Sequence, residues 1–336
     1  MRIRPARFWS AVGRRLSSKR DKANFVVVEQ SKDRVHFWPG HPLSYTTTKV
    51  AVFFNEMQLS SATAFVMRYG QQFALVTNWH VLSGFNAATG ACLTKTGAIP
   101  NRIECHVTVS RKFKENGKNA EELFFKPLKI DLHSGETPIW HDDREGQLQN
   151  DYAVIDLTEL VPELKEETVS LRHILAGRVT FRRGFVPKKP YVFRPDVLRA
   201  IYPTIGTEVF VLGYPGGVAS TGVFPIWKRA SIASEPQSEI ELGGTEYKNL
   251  FYIDGLTKSG MSGSPVVCLA KPGDEFHTED GVSVSINKPE PYLLGVYAGR
   301  DGVTQEEYEL SLGRVWKIAA VEALFYSRRA AQVAPS

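Results

Sequence analysis

Cysteine is scarce in this chain: 336 residues hold three, Cys92, Cys105 and Cys268. An odd and sparse set argues against the disulfide framework of a small secreted domain and for a reducing compartment, so a cytoplasmic location is expected. Long apolar runs are missing as well. No stretch approaches the ~20 apolar residues of a membrane span, and charges run through the first 22 residues where a secretory signal would be apolar. An excess of one charge is also missing from most of the chain. The net charge of +5 rests on positions 1 to 22, where eight basic residues from Arg2 to Lys22 face only Asp21. Taking these from the totals of 41 basic and 36 acidic residues leaves 33 and 35, so positions 23 to 336 are net −2. A near-neutral body excludes the basic footprint of a nucleic-acid binder. Only the tail could meet an anionic surface. Phe8, Trp9, Val12 and Leu16 have roughly helical spacing among arginines, the pattern of an amphipathic interfacial helix or a transit sequence. A basic tail without regular structure is the simpler reading and the one expected.

What is present is a series of short apolar runs separated by turn residues. Phe25 to Val28, Val50 to Phe54, Ala62 to Met67 and Phe73 to Val76 read as strands, as does Tyr152 to Leu157. Between them, residues 110 to 150 are polar and charged, hold Asn116-Gly117, and read as a long insertion. A second interruption follows at 158 to 205, helix-like from Glu159 to Leu175 and then basic with prolines to Pro203. Strand signals resume at Glu208 to Leu212, Val223 to Ile232, Leu250 to Ile253, Pro265 to Leu269 and Tyr292 to Val296, and a helical pattern closes the chain at Val315 to Phe325. Regular alternation of strand and helix is absent, which excludes a parallel α/β sheet. Two packed all-β barrels with one terminal helix are expected. The expected organisation is a tail and lead-in strand at 1–44 and one domain at 45–325. That domain divides into a first barrel at 45–157, a linker at 158–205, a second barrel at 206–313 and a helix at 314–325, with a short tail at 326–336.

The sharpest local pattern is Gly260-Met261-Ser262-Gly263-Ser264-Pro265, entering the apolar run Val266 to Leu269. A serine that attacks an acyl carbon needs backbone N–H groups converging on the developing oxyanion, and glycine permits the tight turn that aims them. Gly260 and Ser262 are the candidate donors. A serine hydroxyl also needs a base. His80 directly follows the strand-like Phe73 to Thr77, where a sheet could hold an imidazole. The third requirement is a buried carboxylate to orient that imidazole, and Asp151 stands at the mouth of the run Tyr152 to Leu157. Asp156 should matter only for folding, and Ser259 and Ser264 read as turn residues. Cys105-His106 with His133, His141 and Asp142 has no metal-ligand spacing, so no metal and no other cofactor are expected. The turn Gly213 to Gly217 lacks the Lys-Ser/Thr of a phosphate loop.

At these residues the chain resembles the trypsin-like serine peptidases, and in particular their bacterial HtrA/Deg-like branch. Thr77-Asn78-Trp79-His80-Val81 is similar to the family's histidine motif, Asp151-Tyr152-Ala153-Val154-Ile155 to its aspartate motif, and Gly260 to Pro265 to its serine motif, in the family's order. Val211 to Gly217 resembles a turn early in the family's second barrel, and Leu294 to Gly299 the strand that walls its specificity pocket. The resemblance spans roughly positions 45 to 325. It implies a chymotrypsin-like double six-stranded antiparallel β-barrel with a C-terminal helix, and peptide-bond hydrolysis of a protein or peptide substrate by His80, Asp151 and Ser262. Tyr297, Ala298 and Gly299 would bind substrate. The pocket floor falls at Leu256, where no acid stands, so the resemblance implies a small or apolar P1 residue rather than Lys or Arg.

Departures limit what carries over. The Ile-Val-Gly-Gly-like segment of the secreted animal enzymes is absent, as are their cysteine bridges. The 11 residues after the closing pattern leave no room for the PDZ domain of typical HtrA proteins. The rival reading is a catalytically silent protease fold that serves as a binding module. An esterase of the α/β-hydrolase type is excluded, because those run Ser, Asp, His along the chain.

Overall fold

The computed structural model describes residues 25–29, 40–143, 150–179, 181, 201–242, 244–255, 257–278, 283–300 and 312–333. The basic tail, most of the proline-bearing segment before Pro203, and Leu256 lie outside them. The chain is all-β with few helices. Among the described residues, no helix is long and apolar enough to cross a membrane.

The N-terminal half is a nine-stranded sheet. Its main path runs Phe25–Glu29, Lys118–Asp131, Arg102–Glu115, Thr47–Phe54, Met57–Tyr69, Gln72–Thr77 and Ala153–Asp156; Val169–Leu171 joins Arg102–Glu115, and Ile174–Leu175 joins Met57–Tyr69. The C-terminal half is a closed six-stranded barrel in the order Glu208–Gly213, Ile226–Ile232, Leu250–Asp254, Leu312–Lys317, Glu290–Arg300 and Pro265–Ala270. The strand-rich two-lobed architecture, with a closed six-stranded barrel and a C-terminal helix, is therefore present as expected from the sequence, while the sheet of the first lobe has nine strands where six were expected.

Three strands of the first half divide the molecule. In Gln72–Thr77, Phe73 and Leu75 enter the core of the first lobe, while Ala74 and Val76 enter the larger core shared with the barrel. The same alternation places Ala64 and Val66 on one side and Phe65 and Met67 on the other, and it separates Ala153 and Ile155 from Tyr152 and Val154. Side chains alternate across a strand, so a strand buried on both faces reads as a continuous apolar run. Each fully buried large side chain, such as Leu75 or Phe65, contributes about 1.5–3 kcal/mol. The ends of these partition strands open where the two lobes meet.

Three local expectations are corrected. Residues 110 to 150 do not begin as an insertion: Arg102–Glu115 and Lys118–Asp131 form a long antiparallel hairpin, turning at Asn116 and Gly117, both at positive φ. Alternate positions such as Ile103, Cys105, Val107 and Val109 carry the buried apolar side chains, with Thr108 and Ser110 also buried, and the exposed positions supply the charges that made the stretch look like a loop. Glu159 to Leu175 is not helical. A 3-10 turn at Pro162–Lys165 leads into strands Val169–Leu171 and Ile174–Leu175, with Val169 and Leu171 packed in the first core. The closing helix begins at Ile318 and runs to Val333, because Leu312–Lys317 is the strand that pairs with Leu250–Asp254 and Glu290–Arg300 and completes the barrel.

Candidate active site

His80 sits in the short helix Trp79–Ser83, three residues beyond the end of the partition strand Gln72–Thr77. That strand pairs with Ala153–Asp156 with Thr77 opposite Ala153, which sets the chain on either side of Asp151 beside His80. The two side chains bond directly. His80 Nδ1 lies 2.7 Å from Asp151 Oδ2, and the His80 backbone N–H donates to Asp151 Oδ1 at 2.9 Å. Asn78, fully buried, donates from Nδ2 to the Asp151 carbonyl at 2.6 Å and ties the two segments together.

Asp151 is only 6% exposed. Burial alone would push its pKa up, but the His80 imidazole, the two hydrogen bonds from His80 and the more distant charge of Arg314 together outweigh it and leave the pKa below its ordinary value. The carboxylate is thus ionised near neutrality. Asp151 Oδ2 faces His80 Nδ1, and in a neutral imidazole that donates from Nδ1 the acceptor nitrogen is Nε2.

Ser262 is half-buried and shares two cavities with His80. The smaller, about 160 Å³, is also lined by Asp151, Ala298 and Arg314. The larger, about 500 Å³, extends past Ser259 and Gly260 toward Met57 to Ala62 and Leu93 to Thr96. The histidine, carboxylate and serine picked from sequence positions 80, 151 and 262 are therefore brought to one place.

The loop before Pro265–Ala270 is fixed from both lobes. The Thr63 N–H donates to the Ser262 carbonyl at 2.9 Å, and the Gly263 N–H donates to the Tyr297 carbonyl at 2.9 Å. Gly260 and Gly263 lie at φ 93° and 84°. A Cβ on Gly263 would stand 2.0 Å from the Thr63 carbonyl oxygen, and one on Gly260 would stand 2.3 Å from that of Tyr214, so no side chain fits at either. Among the described residues, no backbone carbonyl takes the N–H of Gly260 or Ser262.

Thr63, which nothing in its local sequence singles out, is the hub of this arrangement. It is fully buried, its Oγ1 donates to the Gly260 carbonyl at 2.8 Å and accepts from the Tyr214 N–H at 3.2 Å, and its carbonyl accepts from Thr77 Oγ1 at 2.8 Å. Arg314 was also missed, because the sequence pattern put it in the closing helix; the barrel strand brings it to the smaller cavity.

The expected substrate-binding residues divide. Ala298 lines the smaller cavity, and Gly299, at φ 109°, has open space where a Cβ would be. Tyr297 is engaged within the protein. Its side chain is buried, its hydroxyl bonds Thr257, and its backbone N–H and C=O are both taken, by the Ser264 carbonyl and the Gly263 amide. Ser264 is a turn residue in its backbone bonds, while its hydroxyl is fully buried and finds no hydrogen-bond partner among the described residues. Asp156 accepts from the Thr158 amide at 2.8 Å.

No protein-family model matches the chain, and no curated protein does. Solved structures do resemble it. The Rv3671c protease from M. tuberculosis in its active form is 16% identical with a TM-score of 0.38, covering 84% of this chain and 81% of that one. A serine endoprotease from Yersinia pestis is 14% identical, TM-score 0.39, covering 85% of this chain and 63% of that one. Deg5 is 13% identical, TM-score 0.39, covering 84% and 88%. At these values the likenesses assign neither residues nor a reaction to this chain.

Proposed function

We propose that this chain is a serine endopeptidase in which Ser262 is the nucleophile, His80 the general base and acid, and Asp151 the group that orients His80. One observation carries the reading: a buried, ionised carboxylate holds Nδ1 of a histidine that shares a cleft with a serine whose loop has two amides with no backbone acceptor among the described residues. His80 Nε2 takes the Ser262 proton as Oγ bonds the substrate carbonyl carbon, and the Gly260 and Ser262 amides donate to the oxyanion. Collapse breaks the C–N bond, and the same proton passes from His80 to the leaving amine. Water then attacks the acyl-serine, gives its proton to His80, and the acid product leaves with Ser262 reprotonated.

The acyl portion lies along Ala298 and Gly299. A small or apolar P1 residue is part of the proposal, since Leu256 carries no charge and the neighbouring Thr257 is occupied by its bond to Tyr297. The test is labelling by a fluorophosphonate probe together with mass-spectrometric mapping of peptide cleavage. Wild-type protein should label at Ser262 and cleave. Ser262→Ala and His80→Ala should each lose about 10⁶-fold in turnover, and Asp151→Asn about 10⁴-fold. Undiminished cleavage by Ser262→Ala would sink the assignment, and unlabelled, inactive wild-type protein would point to a silent binding module.

A further inference from the structure

Ala298 lines the smaller of the two cavities at Ser262 and not the larger, so with the acyl portion on Ala298 and Gly299 we assign the larger to the leaving-group side of a substrate. This step rests on the peptidase reading. Three observations describe what that cavity recognises. First, residues 57 to 62 line it, and they belong to a sheet edge left open among the described residues. Residues 57 to 62 of the strand Met57–Tyr69 pair with Thr47–Phe54 on one side, and the partner on the other side, Gln72–Thr77, reaches only Phe65 to Tyr69. An unpaired edge beside the nucleophile is a template for an extended peptide, which adds to it as a further strand.

Second, the rim is apolar and exposed. Met57 is 49% exposed and Leu93 51%, and both line the cavity. Large apolar side chains left in water at the mouth of a groove are available to a ligand side chain. Third, the charge is of one sign. Among the lining residues Lys95 is the sole side chain with a permanent charge, no carboxylate lines the cavity, and Lys95 makes no salt bridge within the described residues.

We infer that the leaving-group side of the cleft selects extended peptide segments carrying an apolar residue and an acidic residue within the first three positions after the scissile bond. The apolar side chain packs between Met57 and Leu93, and the carboxylate pairs with Lys95. Lys95 thereby sets specificity without touching the reacting atoms. Because it is solvent-exposed, its effect is modest and falls with salt.

The test measures binding in the absence of cleavage. Fluorescent peptides with one acyl side, followed by Val-Glu, Val-Lys or Ser-Ser, are titrated by anisotropy against full-length Ser262→Ala protein and against the same protein carrying Lys95→Glu or Lys95→Met. The Val-Glu peptide should bind about five-fold tighter than Val-Lys at low salt. Lys95→Glu should reverse that order, Lys95→Met should abolish it, and Ser-Ser should bind weakest. Equal binding of the acidic and basic peptides, or an order unmoved by Lys95→Glu, overturns the inference. Cleavage of the same peptides by wild-type protein reports separately: binding with the expected order but no cleavage would refute the peptidase reading and leave the recognition site standing.

Discussion

Replacing Thr63 by valine tests whether one buried hydroxyl couples the two lobes at Ser262. Valine matches threonine in shape, so the packing around this fully buried position is kept and only the hydroxyl is lost. Two groups then lose their partner: the Gly260 carbonyl, bonded at 2.8 Å, and the Tyr214 N–H, bonded at 3.2 Å. Each buried polar group left unsatisfied costs about 1–3 kcal/mol, so Thr63→Val, which orphans two, should destabilise by about 2–6 kcal/mol. That is a large share of the about 5–15 kcal/mol that a folded protein has in hand. Thr63→Ser keeps both bonds and loses only a methyl group, at a cost of about 1 kcal/mol. Urea denaturation of the three proteins gives the stabilities, and fluorophosphonate labelling where each is fully folded gives the state of the site. Labelling should slow in Thr63→Val, because Gly260 is held by that hydroxyl, and stay near wild-type in Thr63→Ser. A Thr63→Val protein within 0.5 kcal/mol of wild type that labels at the wild-type rate would refute the coupling.

Two further predictions concern pH. Asp151 has a lowered folded pKa against an ordinary value of 3.8, so its contribution to stability is full above about pH 4 and is lost as the pH falls through the folded value. The stability difference between wild type and Asp151→Asn should therefore be flat from pH 7 to pH 5 and shrink below pH 4 in denaturation midpoints; a difference that grows on acidification would contradict the site's electrostatics. Lys317, 5% exposed, donates to the Lys248 carbonyl at 2.7 Å, and burial pulls its pKa from 10.5 to about 8. A lysine with a lowered folded pKa opposes folding most below pH 8, and that opposition fades between pH 8 and 10.5. Relative to Lys317→Met, wild type should gain on the order of 3 kcal/mol across that window, and a pH-independent difference would show that the ammonium is not desolvated.

The residues proposed for chemistry were legible because each lies where a strand ends. His80 follows Phe73 to Thr77, Asp151 precedes Ala153–Asp156, and Ser262 precedes Pro265–Ala270. The partition strands were legible for a related reason: burial on both faces makes a continuous apolar run. The hairpin at 102–131 was not, since half of its positions face water and its charges resemble those of a loop. Asn116-Gly117 was its one local mark, the dipeptide favoured where two successive residues take positive φ in a two-residue turn. The strand Leu312–Lys317 was mistaken for the start of the helix because Val315, Trp316 and Ile318 are apolar in a short run that suits either element.

By itself the sequence determined the strand-rich character, the two-lobed division and the three side chains at strand ends, all properties of a few neighbouring residues. Tertiary structure decided what surrounds those side chains. Thr63 reaches Gly260 across 197 positions, and Arg314 comes to the smaller cavity only because its strand closes the barrel. The open edge at residues 57 to 62 likewise depends on where the neighbouring strand stops pairing. Hydrogen bonds, fields and cavities act over ångströms in space, and the chain separations they span leave no periodic signal to read.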